Sequence, residues 1–270
     1  MAKEMLLGRK TVYVQTYSPD LLFPVPRTLA RDKTNISEPL PFIGEDIWNG
    51  SELSWLNTKG KPQIALAEFI FPCSSPFIVE SKSFKLYLNS FNQSVFASEN
   101  EVLKTLIKDL TAIVQADIKV RLFTPAQVVG KKLVEFSGHC LDELDITTDT
   151  YTVNPNFLAT SNEKTQETLY SNLLKSNCMA TGQPDWGSLL VRYKGNKIDH
   201  EGLLKYIISY RNHIGFAEHC TEQIFQDIMH HCQPEYLTVY ARYTKRGGLD
   251  INPYRSNFEE WMENQQHFRQ

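Results

Sequence analysis

The sequence predicts an α+β fold of two similar modules, each an antiparallel sheet with a pair of helices. Three observations carry that prediction. Apolar residues group in short segments with strand spacing and elsewhere recur at helical spacing. The order strand–helix–helix–strand occurs twice. Matching elements of the two copies lie about 118 to 125 residues apart, as an internal duplication requires.

Taken in order, Thr11 to Tyr17 alternates as a strand, with Val12, Val14 and Thr16 on one side. Pro19, Pro24, Pro26, Pro39, Pro41 and Pro62 then fix φ and remove donors, so the first 60 residues read mainly as extended loop. Phe23, Phe42, Trp48 and Trp55 anchor that stretch to a core. Ile64 to Ile70 is the next strand. Phe84, Tyr87, Leu88 and Phe91 have helical spacing. Ser98 stands three residues before Glu101, a capping-box signature, and opens a second helix through Val114. Ile118 to Phe123 returns as a strand. The second copy runs from a strand at Leu189 to Tyr193 to a helix marked by Leu203, Leu204, Ile207 and Ile208. A helix follows at Phe216 to Cys232, with Phe216, Cys220, Ile224 and Ile228 on one face, and then a strand at Tyr236 to Tyr243. Acidic and turn residues between Gly138 and Asn156 mark the join, which gives modules at 1–145 and 146–270.

Composition narrows the function classes. The chain has 270 residues, 41% hydrophobic and 22% charged, with a formal net charge of −3. A nucleic-acid surface would show a basic excess. No run of 18 apolar residues spans a membrane, and Met1 to Lys10 lacks the apolar stretch of a secretory signal. Five cysteines without a CxxC pair suit a reducing compartment, so the expectation is a cytoplasmic protein.

Several residues could carry chemistry. Cys220 falls on an apolar helix face and reads as a small buried hydrophobe. Cys178 lies in Ser-Asn-Cys-Met-Ala-Thr-Gly-Gln-Pro-Asp-Trp-Gly, rich in turn formers, with Asp185 seven residues on. A thiol and a carboxyl joined by a loop suit nucleophilic attack with proton transfer; a structured turn with a capping Asp is the plain alternative. His219, Cys220, His230, His231 and Cys232 cluster in sequence, and His139-Cys140 could add ligands. Residues 219 and 230, however, stand roughly 16 Å apart along a helix, too far to share one zinc ion. No metal is expected. In Glu80-Ser81-Lys82-Ser83, either serine could cap the helix that follows, and its amides with Lys82 and Lys85 would suit an anion. Arg246-Gly247-Gly248 could bring cation and main chain to a phosphate, or could be a basic turn. No GxGxxG or P-loop occurs.

Three segments taken together resemble the QueF family of nitrile reductases. They are Glu80-Ser81-Lys82-Ser83-Phe84-Lys85-Leu86-Tyr87-Leu88-Asn89-Ser90-Phe91, Ser176-Asn177-Cys178 with Gln183-Pro184-Asp185-Trp186-Gly187-Ser188, and Arg246-Gly247-Gly248-Leu249-Asp250-Ile251-Asn252-Pro253. They lie in order and span most of the chain. The resemblance implies tandem tunnelling-fold (T-fold) modules, a homodimer, and NADPH-dependent reduction of 7-cyano-7-deazaguanine to its aminomethyl product in queuosine biosynthesis. It implies Cys178 as the nucleophile that forms a covalent thioimide and Asp185 as the proton donor. Val79, Glu80, Ser81, Phe216, Ala217 and Glu218 would contact the substrate, with Glu80 and Glu218 accepting from its amidine-like edge. Ser81, Lys82, Arg246 and Gly247 would hold NADPH. Neither metal, nucleic acid nor membrane is implied.

One position departs from the family pattern. Ala217 stands where the family carries a His that helps protonate nitrogen. His219 is no substitute, because two residues along a helix turn a side chain by about 200°. A base-binding protein with impaired catalysis is therefore the alternative. A T-fold cyclohydrolase would need zinc or a His-based site, for which the sequence offers no feasible ligand set.

Overall fold

A computed structural model describes residues 13–130, 132–179 and 181–270. In chain order the elements begin with β1 (Pro24–Pro26), α1 (Thr28–Arg31), β2 (Glu45–Leu56), β3 (Pro62–Pro72), β4 (Phe77–Val79), α2 (Ser81–Ser90) and α3 (Glu99–Val114). They continue with β5 (Lys119–Phe123), α4 (Pro125–Val128), β6 (His139–Cys140), β7 (Thr160–Asn177), β8 (Pro184–Ile198) and α5 (His200–Ser209). The last are α6 (Ala217–Cys232), β9 (Tyr236–Tyr243) and β10 (Leu249–Ser256). The class is α+β; β1–β4, β3–β5, β7–β8, β8–β9 and β9–β10 pair antiparallel, and the two-residue β6 lies parallel beside β7.

The chain divides into two compact units. The first takes Met1–Leu29, Asp46–Lys132 and Lys245–Ile251; the second takes Ala30–Glu45, Leu133–Thr244 and Asn252–Gln270. Short segments thus cross the sequence join, 30–45 to the second unit and 245–251 to the first.

In the first unit β3 pairs with β5 from Leu66↔Phe123 to Ile70↔Lys119 and neighbours β2 on its other side. Alternate β3 residues Ala65, Ala67, Phe69 and Phe71 are buried, as the two-residue strand period requires. Against them pack Phe84, Tyr87 and Phe91 of the α2 segment and the α3 stripe Val102, Leu106, Leu110 and Val114, buried at four-residue spacing. α3 starts as its sequence predicts. The Ser98 hydroxyl accepts from Glu101 N–H at 3.2 Å, and Gln115 ends the helix in the left-handed conformation.

In the second unit β7 and β8 form a long hairpin, from Thr160↔Ile198 to Asn177↔Pro184. β8 continues to β9, where Gly187 faces Tyr243, and β9 to the end of β10. The α6 residues Cys220, Ile224, Ile228 and Cys232 repeat the α3 stripe, and Gln233 repeats its left-handed end. Glu222 of α6 lies between two arginines. It accepts from Arg31 Nε and Nη2 at 2.9 and 2.7 Å and from Arg255 Nε and Nη2 at 3.0 and 2.8 Å, which fastens segment 30–45 to the helix.

Three expectations need correction. Residues 13–17 are not a strand (Thr11 and Val12 lie outside the described residues). That stretch bonds instead with the end of α2 and the residues after it, through Val14 O to Asn89, Gln15 O to Gln93 N–H and Tyr17 N–H to Ser94. The first 60 residues also contain β2, a 12-residue strand that the loop expectation did not include. The cap of α2 is neither serine. Glu80 fills it, accepting from Lys82 and Ser83 N–H at 2.9 and 2.7 Å.

Candidate active site

The residues singled out in the sequence fall into two sets, one in each unit. In the second unit β7 ends at Asn177, and Cys178 follows as the first residue of the hairpin loop. Its N–H donates to Gln183 O at 2.9 Å, and its carbonyl accepts from Gly182 N–H at 2.9 Å. Gly182 has φ +68°, a conformation that glycine adopts without strain. This closed turn returns the chain to β8, so that Asp185 faces Ser176 across the ladder. Cys178 is buried and Asp185 half-buried.

A second segment meets the same hairpin. Asn177 donates its N–H to His213 O at 2.8 Å, and its carbonyl accepts from Gly215 N–H at 3.1 Å. Gly215 leads directly into Phe216 and the first turn of α6, which carries Ala217 and Glu218. Cys178, Phe216 and Glu218 are therefore buried on segments joined by two main-chain hydrogen bonds. Phe216, at the N-cap, has no polar side chain to cap this helix end. Burial holds the His213 imidazole below its ordinary pKa and so favours its neutral form.

The five cysteines are thiols, none of them in a disulfide. Burial pushes the Cys220 and Cys232 thiols up to about 12, so both stay protonated and inert near neutrality. Among the described residues no group of three or more His, Cys, Asp or Glu side chains is disposed to hold a metal ion.

In the first unit Val79 ends β4, whose ribbon with β1 pairs it with Pro24. Glu80 is buried; its N–H donates to Phe23 O at 2.9 Å while its carboxylate caps α2. The cap uses one lone pair on each oxygen, and each oxygen retains another. Ser81 and Lys82 form the first turn of α2, and Lys85 lies one turn on.

Opposite α2 the chain makes a tight turn, with Arg246 N–H donating to Leu249 O at 2.9 Å. Gly247 and Gly248 occupy the left-handed region at φ +58° and +71°. A Cβ on Gly248 would lie 2.4 Å from the Glu52 carboxyl carbon, and one on Gly247 would lie 3.3 Å from Lys85 Cδ. The glycines thus border a cavity of about 100 Å³ lined by Glu52, Lys85, Asn89, Asn92 and Leu249. The structure brings Lys85 to the Gly247–Gly248 turn, a pairing the sequence reading did not assign. The visible signal was its place in the same basic helix as Lys82.

Comparison with known proteins bears on this arrangement. A family model described as nitrile reductase, 7-cyano-7-deazaguanine-reductase N-terminal, matches residues 13–122, and one described as QueF-like protein matches residues 184–261. The NADPH-dependent 7-cyano-7-deazaguanine reductase of Burkholderia mallei (strain SAVP1) is 55% identical over 95% of this chain and 94% of its own length. The protein of that name from Burkholderia thailandensis is 54% identical over the same shares. A crystal structure of the archaeosine synthase QueF-Like in the apo form aligns with 38% of this chain at 15% identity and a TM-score of 0.31, too slight a likeness to inform the fold. With more than half its residues shared along nearly its whole length, this chain belongs to the QueF family of nitrile reductases.

Proposed function

We propose that this chain reduces the nitrile of 7-cyano-7-deazaguanine to an aminomethyl group with NADPH, through a covalent thioimide on Cys178. The observation that carries the reading is the closed hairpin of the second unit. It buries a cysteine at the end of β7, returns a carboxyl on β8, and is bonded to the segment that opens α6.

In this reading the Cys178 sulfur attacks the nitrile carbon as thiolate. One carbon–nitrogen π pair moves to nitrogen, which takes its proton from Asp185, and a C=N thioimide remains. A cysteine suits this step because even a small thiolate fraction is strongly nucleophilic. Glu218 and Glu80 accept from the amino and ring N–H groups of the base, using lone pairs that the α2 cap leaves on Glu80. Val79, Ser81, Phe216 and Ala217 complete the contacts. The chain's own groups fit the cofactor as well. Lys82, Lys85 and Arg246 are cations suited to phosphate, and the Gly247–Gly248 turn leaves a space that a Cβ would crowd. Glu52, on the same cavity, offsets one of those charges. When bound, NADPH supplies hydride equivalents, two for a nitrile-to-amine reduction. After the first hydride reaches the thioimide carbon, Cys178 would leave as thiolate to give an imine, and the second hydride would reduce that imine to the amine.

Further features belong to the same proposal. The chain is read as tandem T-fold modules at 1–145 and 146–270, acting as a cytoplasmic homodimer on a small molecule, without nucleic acid or membrane as partner. Among the described residues no helix is long and apolar enough to cross a membrane. Ala217 supports a second reading, a base-binding protein that captures the nitrile and reduces it poorly. NADPH oxidation with and without 7-cyano-7-deazaguanine tests the choice. Nitrile-dependent oxidation supports the reductase. Adduct without oxidation supports the second reading, and neither adduct nor oxidation refutes both.

A further inference from the structure

Beneath the hairpin lies a group of buried side chains that the proposed chemistry does not use. Ser176, 1% exposed, faces Asp185 directly across the β7–β8 ladder, so the two side chains share a sheet face. Gly187 lies two residues past Asp185 on that face and pairs with Tyr243 of β9. A Cβ on Gly187 would lie 3.3 Å from the Tyr243 ring; glycine there lets the ring lie over the strand. Cys220 of α6 closes the group, its sulfur 3.4 Å from where a Cβ of Gly215 would stand.

The Tyr243 and Ser176 hydroxyls are buried and lie within side-chain hydrogen-bonding reach of each other and of the Cys220 thiol, yet neither reaches full hydrogen-bond geometry with a described residue. Two such groups in one place cost stability, and a fold that keeps them invites a functional explanation. The titratable groups around them are Asp185 from β8, Glu218 and Cys220 from α6, and His213 from the loop before α6. Burial, with Cys220 and Asp185 nearby, holds the Tyr243 phenol well above its ordinary pKa. Burial keeps Cys220 protonated too, so the group presents neutral O–H and S–H donors throughout the neutral range.

We propose that Tyr243 and Ser176 are positioning residues for Asp185, holding neutral hydroxyl donors on the face where its carboxylate is left after it gives up its proton. The inference rests on the reading of Asp185 as proton donor. A donor near the carboxylate favours the charged form and lowers the carboxyl's pKa. Removing the donor raises that pKa, so the carboxyl keeps its proton to higher pH. In covalent capture, which needs Asp185 protonated, the alkaline limb of the pH–rate profile then moves upward.

The test measures the rate of adduct formation by intact mass from pH 5 to 9, with 7-cyano-7-deazaguanine and no NADPH. It uses the unmodified chain, Tyr243→Phe, Ser176→Ala and Asp185→Asn, with a melting temperature for each. The expected result is an alkaline limb raised by about half a pH unit or more in Tyr243→Phe and Ser176→Ala, with melting temperatures unchanged or higher. Asp185→Asn should lack that limb. An unshifted limb in both hydroxyl variants, or a lowered melting temperature with no shift, overturns the proposal. An unmodified chain that forms no adduct refutes the underlying reading and this inference with it. A limb that persists in Asp185→Asn removes Asp185 as its source and also overturns the inference.

Discussion

Ala217 opens α6 directly after Phe216 and has no group that can move a proton. In the proposed reading, attack on the nitrile needs Cys178 and Asp185, with Glu80 and Glu218 to hold the base, and the chain carries all four. The reduction steps also need protons on nitrogen, and a missing general acid costs typically about 10²–10⁴-fold. Ala217→His should therefore speed reduction of the captured nitrile far more than capture itself. Single-turnover traces of adduct formation and NADPH oxidation, followed separately, check this; equal reduction rates in both proteins would contradict it. Lys85 and Arg246 are expected to act on the cofactor alone. Lys85→Ala or Arg246→Ala should raise the NADPH concentration needed for half-maximal oxidation, as loss of a charge-assisted contact costs on the order of 1.5–3 kcal/mol. Adduct formation without NADPH should be unchanged, and a defect there would take the residue out of the cofactor set. The legibility of these residues differed. Cys178 and Asp185 could be paired because turn formers separate them. The duty of Glu80 as a cap was hidden, because two serines nearby offered the usual capping chemistry. Lys85 was legible beside Lys82 as a cation for an anion, but its pairing with the Gly247–Gly248 turn was hidden because a tertiary approach creates it.

The helices were the most legible elements and the long strands the least. α3 and α6 carry apolar residues every fourth position, and each runs 16 residues to a left-handed glutamine. α2 and α5 start 119 residues apart and share further detail. Tyr87 donates to Asp109 at 2.7 Å, and Tyr206 donates to Asp227 at 2.6 Å. In both, the Ser three residues on bonds back to the Tyr carbonyl at 2.6 Å. The duplication therefore extends to buried polar contacts. β7 escaped notice because its first half is polar and exposed on both faces, so no alternation marks it. β2 was masked by its Pro-rich surroundings and by Gly50 within it, and β10 by Pro253. Glu222 makes a strong prediction about segment 30–45. Glu222→Gln leaves two buried arginines without their anion, and loss of one partner from such a cluster typically costs about 3–5 kcal/mol. Chemical denaturation should show that loss, with faster hydrogen exchange in α1. A change below 1 kcal/mol would show that the arginines find other partners.

Over the whole molecule, acid should act first through the C-terminal segment. His267 is 2% exposed, its ring lies 4.5 Å from that of Phe136, and neither ring nitrogen has a hydrogen-bond partner among the described residues. Burial, then Arg242 and Arg269, lowers its pKa from 6.5 to about 4. The unfolded chain takes up this proton first, so the contribution is intact above pH 6.5 and is lost as pH falls toward 4. The loss is on the order of 2–3 kcal/mol. Urea midpoints at pH 7 and pH 4.5 should show it, and His267→Phe should reduce the difference; an equal fall in both proteins would place the sensitivity elsewhere. The central claim concerns Cys178 as the atom that joins protein to substrate. Its most direct test is the intact mass of the protein after incubation with 7-cyano-7-deazaguanine in the absence of NADPH, for the unmodified chain and for Cys178→Ala. The account predicts a gain of one substrate mass in the unmodified chain, reversed when NADPH is added, and no gain in a folded Cys178→Ala variant. An adduct that persists in Cys178→Ala, or its absence from the unmodified chain, would contradict it.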